Sequence, residues 1–107
     1  MKLTQSEENG RILVTISGKC TVEHAAALRE ALLAATSPGK PVALDLAEVE
    51  DADITLLQLL LATAQTLEKR GASLSRQGAL SPAVGEAARI SGFDQTPRLK
   101  SFFAGAG

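Results

Sequence analysis

Thr55 stands two residues after Asp53, where an acidic stretch gives way to the apolar run from Ile54 to Leu67. A hydroxyl in the first turn of a helix is well placed to carry a phosphate. Free backbone N–H groups and the helix dipole both favour negative charge there. No catalytic partner accompanies this hydroxyl, so chemistry would be done to Thr55 rather than by it. The same position also suits an ordinary polar first-turn residue.

Glu48, Glu50, Asp51 and Asp53 form the acidic stretch. Asp53 can cap the helix that follows, and its neighbours complement the helix dipole. The stretch lacks the spacing and the glycine of a calcium loop, so a hard-cation site is a weak alternative. A patch that steers a basic partner surface is compatible with the capping role.

Other chemistry is missing. His24, the one histidine, makes neither a metal site nor a nucleophile–base pair. Cys20, the one cysteine, cannot form an internal disulfide, which fits a reducing compartment, and it reads as a small buried apolar side chain. There is no Walker sequence and no dinucleotide-binding turn. Ser81-Pro82 is a helix start, not a nucleophile elbow. No active site assembles and no cofactor is called for, so the chain reads as a protein that is bound or acted on, not an enzyme.

The 107 residues make one domain, and 45% apolar content suffices for one core. A net charge of −1 gives no electrostatic footprint for nucleic acid or an anionic membrane. With three Phe and no Trp or Tyr, base-stacking platforms and aromatic cages are not expected. The opening MKLTQSEENG has no apolar signal core, and the run Leu59 to Ala62 is far too short to span a bilayer. A cytoplasmic location without membrane insertion is the expectation.

The elements that must position Thr55 follow from periodicity. Lys2 to Glu7 is weakly strand-like, and Glu8-Asn9-Gly10 marks a hairpin turn. Arg11 to Ser17 alternates as a half-buried strand and breaks at Gly18-Lys19. Thr21 can cap a helix whose core face is Val22, Ala25, Leu28, Leu32 and Ala35, ended by Ser37-Pro38-Gly39. Pro41 to Leu46 is the next strand, followed by an acidic loop as far as Asp53. A second helix covers Asp53 to Arg70 and stops at Gly71, and Ala72 to Arg76 is a short strand. Ser81 and Pro82 start a third helix that ends at Gly92. The order β-β-α-β-α-β-α predicts an α/β fold: a small mixed sheet with an antiparallel opening hairpin, parallel crossovers, and helices packed mainly on one face. The core spans about residues 11–93. In the tail from Asp94 to Gly107, Leu99, Phe102 and Phe103 could dock on the core or on a partner.

At about 100° per residue, Leu57, Leu60, Ala64 and Leu67 form the core face of the second helix. Thr55, Ala62 and Thr66 lie opposite, with Gln58 and Leu59 on either side. No charged residue falls between Ile54 and Leu67. A solvated outer face normally carries charge, so Asp53, Ile54, Thr55, Gln58, Leu59 and Ala62 are the candidate partner-binding surface. A covering element of the same chain would explain the pattern equally well.

The strand ILVTISG, the helix TVEHAAALREALL, the strand–helix unit VALDLAEVEDADITLLQLLL and the end SPAVGEAARISGF together resemble the STAS domains, the bacterial anti-sigma factor antagonists and their relatives. The match runs from about Arg11 to Phe93, and the nearest variety is the short stand-alone type often found with chemotaxis or two-component loci. In the antagonists an Asp-Ser-Ser-Gly run stands where this chain has Asp53-Ile54-Thr55-Leu56. A serine-kinase anti-sigma factor phosphorylates the second Ser there and releases the modified antagonist. The resemblance implies Thr55 as phosphoacceptor and an anti-sigma factor, serine kinase or other signalling protein as partner. Ile54 and Leu56 depart from the pattern and make the helix start bulkier. Two functions follow: a partner-switching module controlled at Thr55, or a constitutive STAS binding subunit serving chemotaxis or a transporter. A homodimer is a third use of the same face. A receiver domain phosphorylated on Asp fails, because the chain is short and the opening hairpin is wrong for that topology.

Overall fold

The computed structural model describes residues 1–104. Strand β1, Lys2–Glu8, pairs antiparallel with β2, Arg11–Cys20. Asn9 and Gly10 join them with φ of 53° and 77°. Two successive left-handed residues make the turn whose twist matches a hairpin, which is why Asn-Gly stands there. After a 3₁₀ turn, Val22–His24, come α1, Ala25–Thr36, and β3, Val42–Ala52. Then follow α2, Ile54–Lys69, β4, Leu74–Arg76, α3, Pro82–Ser91, a 3₁₀ turn Phe93–Gln95, and α4, Pro97–Phe103. The sheet order is β1-β2-β3-β4, and both β2·β3 and β3·β4 are parallel.

The period of two in β2 decides which face is covered. Ile12, Val14 and Ile16 are buried, while Leu13, Thr15 and Ser17 between them are only half-buried. Val42, Leu44 and Leu46 of β3 join the buried set. These six pack in one cluster with Leu28 and Leu32 of α1, Leu57, Leu60 and Leu67 of α2, Val84 of α3 and Phe102 of α4. The helices therefore lie mainly over one face of a mixed α/β sheet, as the hydrophobic pattern requires.

Four local expectations are corrected. The acidic stretch is not a loop: β3 continues through it to Ala52, paired with the far end of β2, Ser17 to Glu48 and Cys20 to Ala52. Val49 is 4% exposed and anchors this extension, so the carboxylates around it point outward from a paired strand. Gly18-Lys19 does not end β2 but marks a shift in its register with β3. Gly18 has φ of 84°, and a Cβ there would come within 3.2 Å of Met1 Cα. Thr21 makes no side-chain cap, because the chain first runs through the 3₁₀ turn and α1 begins only at Ala25. Val22 is consequently out of phase with the helix and 65% exposed rather than buried.

The third helix forms as read. Ser81 Oγ accepts from Val84 N–H at 3.3 Å, Pro82 occupies the first position, and Gly92 closes the helix with φ of 79°. The tail docks on the core: Leu99, Phe102 and Phe103 are buried, and the two rings meet edge to face at 5.2 Å. Residues 105–107 of the tail lie outside the described residues.

Candidate functional site

The start of α2 is fixed by one carboxylate. Asp53 has extended backbone and caps the helix, its Oδ1 accepting from Thr55 N–H at 2.9 Å. Its Oδ2 accepts from Val22 N–H at 3.0 Å. The strand extension through Ala52 delivers Asp53 to the end of β2, where the 3₁₀ turn begins. The acidic strand thus has a positional role that a flexible loop would not supply.

Thr55 lies in the first turn of α2 and is half-buried. No hydrogen bond engages its hydroxyl among the described residues. The other α2 threonines behave differently: Thr63 and Thr66 donate to the carbonyls of Leu59 and Ala62 at 2.7 and 2.9 Å. Ile54 beside Thr55 is 50% exposed, whereas Leu56 is fully buried in the core. The two bulky departures from the antagonist pattern therefore have different consequences. Leu56 contributes to the hydrophobic core, and only Ile54 adds bulk at the surface next to the hydroxyl.

The remaining candidates lie along α2. Gln58 and Ala62 are exposed, and Leu59 is half-buried. Leu59 packs on the edge of the core and lines a groove of about 220 Å³ between α1 and α2, with Arg29, Leu33, Thr36, Ala62 and Thr66. Leu33 of α1 is 46% exposed on this groove. Helix α1 flanks this face and half-buries Leu59, whereas the tail does not cover it. The tail packs by α4 against α2, β4 and the Phe93–Gln95 turn, and Arg98 Nε donates to Glu68 Oε2 at 2.8 Å.

Sequence reasoning missed Val22 and Leu33 as surface residues. Both sit at helical spacing in an apolar stretch, and only the 3₁₀ turn before α1 shows that Val22 leaves the core face. A larger cleft, about 430 Å³, lies between the start of α3 and the tail, lined by Leu80, Ser81, Pro82, Arg89, Asp94 and Phe103. Arg89 there pairs with Glu86 at 2.7 Å, which raises the affinity of its guanidinium for its proton and holds the Glu86 carboxyl below the usual range. None of the predicted site residues touches that cleft.

Among the described residues no group of three or more His, Cys, Asp or Glu side chains could hold a metal ion. His24 is half-buried at the N-cap of α1 and makes no side-chain cap bond. Cys20 is fully buried at the end of β2, and burial pushes its thiol above the ordinary range. Among the described residues no helix is long and apolar enough to cross a membrane.

The model for a family described as "Mlab, STAS domain" matches residues 3–101. No protein of curated function matches the sequence. Among solved structures, the fold is similar to an anti-sigma factor antagonist from Mycobacterium paratuberculosis, with 25% identity and a TM-score of 0.73. That match covers 98% of this chain and 92% of the other. It is also similar to the anti-sigma factor antagonist SpoIIAA in its unphosphorylated form, with 13% identity, a TM-score of 0.69, and 88% and 84% of the two chains covered. SpoIIAA, a Bacillus cell fate determinant, is known in a phosphorylated form too, which matches with a TM-score of 0.63, 13% identity, and 88% and 86% covered. Mglu matches with 21% identity and a TM-score of 0.60 over 70% of this chain, which spans only 19% of the length of Mglu. The extent of the family match, together with a four-stranded mixed sheet and helices over one face, places this chain in the STAS-domain family.

Proposed function

We propose that this chain is a non-catalytic, protein-binding regulatory module of a bacterial partner-switching pathway, controlled by phosphorylation of Thr55. One observation carries the reading: the Thr55 hydroxyl lies in the first turn of α2, beside its Asp53 cap, on a helix without charge from Ile54 to Leu67. The partner surface comprises Asp53, Ile54, Thr55, Gln58, Leu59 and Ala62, extended by Val22 and Leu33. The partner is a signalling protein of the anti-sigma factor or serine-kinase type, and the kinase brings the ATP. The existence of SpoIIAA in phosphorylated and unphosphorylated forms supports a switch of this kind in the fold. The module works in the cytoplasm, where such kinases act.

The physical basis of the switch is local charge. A phosphate on Thr55 adds about −1.5 to −2 charges. An apolar contact cannot accept that charge without leaving it desolvated, and the neighbouring Asp51 and Asp53 add repulsion toward any acidic docking surface. The modified face therefore lets go.

Intact mass and phosphopeptide mapping of protein purified from its native host tests this reading. Phosphate on Thr55 in a fraction of the molecules, depleted from those recovered in complex, is the expected result. A partner bound in full with no phosphate at Thr55 under any growth condition would leave a constitutive STAS binding subunit as the better account. Exposed Ile54 beside the hydroxyl is the feature that favours this second account, since it narrows a kinase's approach.

A further inference from the structure

We propose that Asp53 couples the charge on Thr55 to the turn that carries Val22, so that modification of one surface residue releases a segment distant in sequence. The biological use of this coupling rests on Thr55 being the phosphoacceptor, while its physics does not. A carboxylate offers two oxygens, and Asp53 uses each for a different segment. Oδ1 takes the Thr55 N–H at 2.9 Å, and Oδ2 takes the Val22 N–H at 3.0 Å. The first bond caps α2. The second ties the 3₁₀ turn Val22–His24 to the start of α2, across 31 positions of chain.

This turn has little else to hold it. It contains no buried residue, and Val22 is 65% exposed. Its backbone support is the His24 N–H, which donates to the Thr21 carbonyl at 2.9 Å, and the Ala25 N–H, which donates to the Val22 carbonyl; neither engages the Val22 N–H. The Asp53 bond therefore sets where Val22 stands relative to Ile54, the other exposed apolar residue flanking this carboxylate.

Negative charge on Thr55 falls on the residue whose N–H holds Oδ1. It repels the Asp53 carboxylate, and a phosphate also competes for the N–H groups of the first turn. The displaced carboxylate no longer holds both bonds in place, and the one to Val22, which is exposed, is the one water replaces. Asp53 acts here as a positioning residue, and Val22 and Ile54 lose their fixed spacing.

Asp53→Asn separates the two bonds. Asparagine caps a helix about as well as aspartate, because one oxygen suffices. Its second terminal atom is an NH₂ donor, which cannot accept the Val22 N–H. Amide hydrogen exchange followed by NMR on the full chain reads the result. Asp53→Asn should speed exchange of the Val22 amide by about fivefold, with the Thr55 amide unchanged. Thr55→Glu should speed Val22 exchange in the same direction, and in the Asp53→Asn background it should add nothing further. Unchanged Val22 exchange in both variants would overturn the proposal, as would full additivity of the two effects. If Asp53→Asn fails to fold, Thr55→Glu alone decides, since it keeps Asp53 with both of its acceptor oxygens. A failure to find phosphate on Thr55 in cells would sink the modification while leaving these exchange outcomes to judge the coupling.

Discussion

Arg98 and Glu68 form an ion pair at 2.8 Å that joins α4 to the end of α2. Both side chains are about half exposed, at 49% and 53%, so solvent screens the pair. The attachment of the tail must come from elsewhere. Leu99 is 0% exposed and Phe102 2%, inside the same cluster as Leu57 and Leu60.

The tail therefore gives a graded expectation. Arg98→Ala should change stability by no more than about 0.5 kcal/mol. Phe102→Ala should cost about 3–5 kcal/mol, because it opens a cavity in the shared core. Urea unfolding of the two variants checks this. Equal, small effects would mean that α4 is not part of the cooperative unit.

The candidate surface on α2 includes both a surface position and an edge-of-core position. Ile54 is 50% exposed at the first position of α2, where an acidic side chain suits the helix dipole. Ile54→Asp should leave the melting temperature nearly unchanged and abolish partner binding. Leu59 is half-buried against the core, so Leu59→Glu should cost on the order of 1–3 kcal/mol in addition to any loss of binding. Thermal melts, with binding measured by calorimetry against the partner recovered from the native host, tell the two apart. Full binding by Ile54→Asp would remove the start of α2 from the interface.

The order of elements was legible because the apolar period switches cleanly between two and 3.6 along the chain. The caps were legible too: Asp53, Ser81 and Gly92 act through local chemistry that their neighbours announce. What escaped was tertiary. The carboxylates of Glu48, Glu50, Asp51 and Asp53 look like a loop, but backbone pairing with β2 and the burial of Val49 carry β3 past the first three to Ala52. Val22 looks like the first core residue of a helix, and only the 3₁₀ turn before α1 turns it outward. The link from Asp53 to Val22 depends on β2 and β3 ending together, which no local pattern encodes. For the candidate site, sequence supplied the Asp53 cap and the uncharged helix, and the resemblance supplied the role proposed for Thr55.

Cys20 offers a probe of the core from its strand end. Its side chain is fully buried, and burial favours the neutral thiol. Thiol reagents at neutral pH should label it slowly in the native protein and quickly in denaturant. The stability consequence has a definite sign. The unfolded thiol ionises first as pH rises, because the folded value is raised. The contribution of neutral Cys20 is thus complete below the ordinary thiol range and is lost as pH climbs through the raised folded value. Cys20→Ala should flatten that alkaline loss in denaturation midpoints measured across the range. An unaltered alkaline limb would assign the loss to other groups.

Charge at Thr55 is the most informative variable to change. Thr55→Ala removes the hydroxyl and keeps the Asp53 cap, which needs only the backbone N–H. It should bind the partner like the natural chain and remain bound after treatment with the kinase. Thr55→Glu adds one negative charge, less than a phosphate carries, so it should give part of the effect. A loss on the order of 1–2 kcal/mol is expected, out of roughly 1–3 for the phosphate itself. Folding should survive, since negative charge in a first helical turn is mildly stabilising by about 0.3–1 kcal/mol. That opposition of signs is what makes the pair of variants decisive: weaker binding together with an equal or higher melting temperature can only arise at the interface. Calorimetry on the three proteins, each with its melting curve, supplies both numbers. Equal affinity across all three would show that the partner does not sense charge at Thr55, and the domain would then act as a constitutive binding subunit.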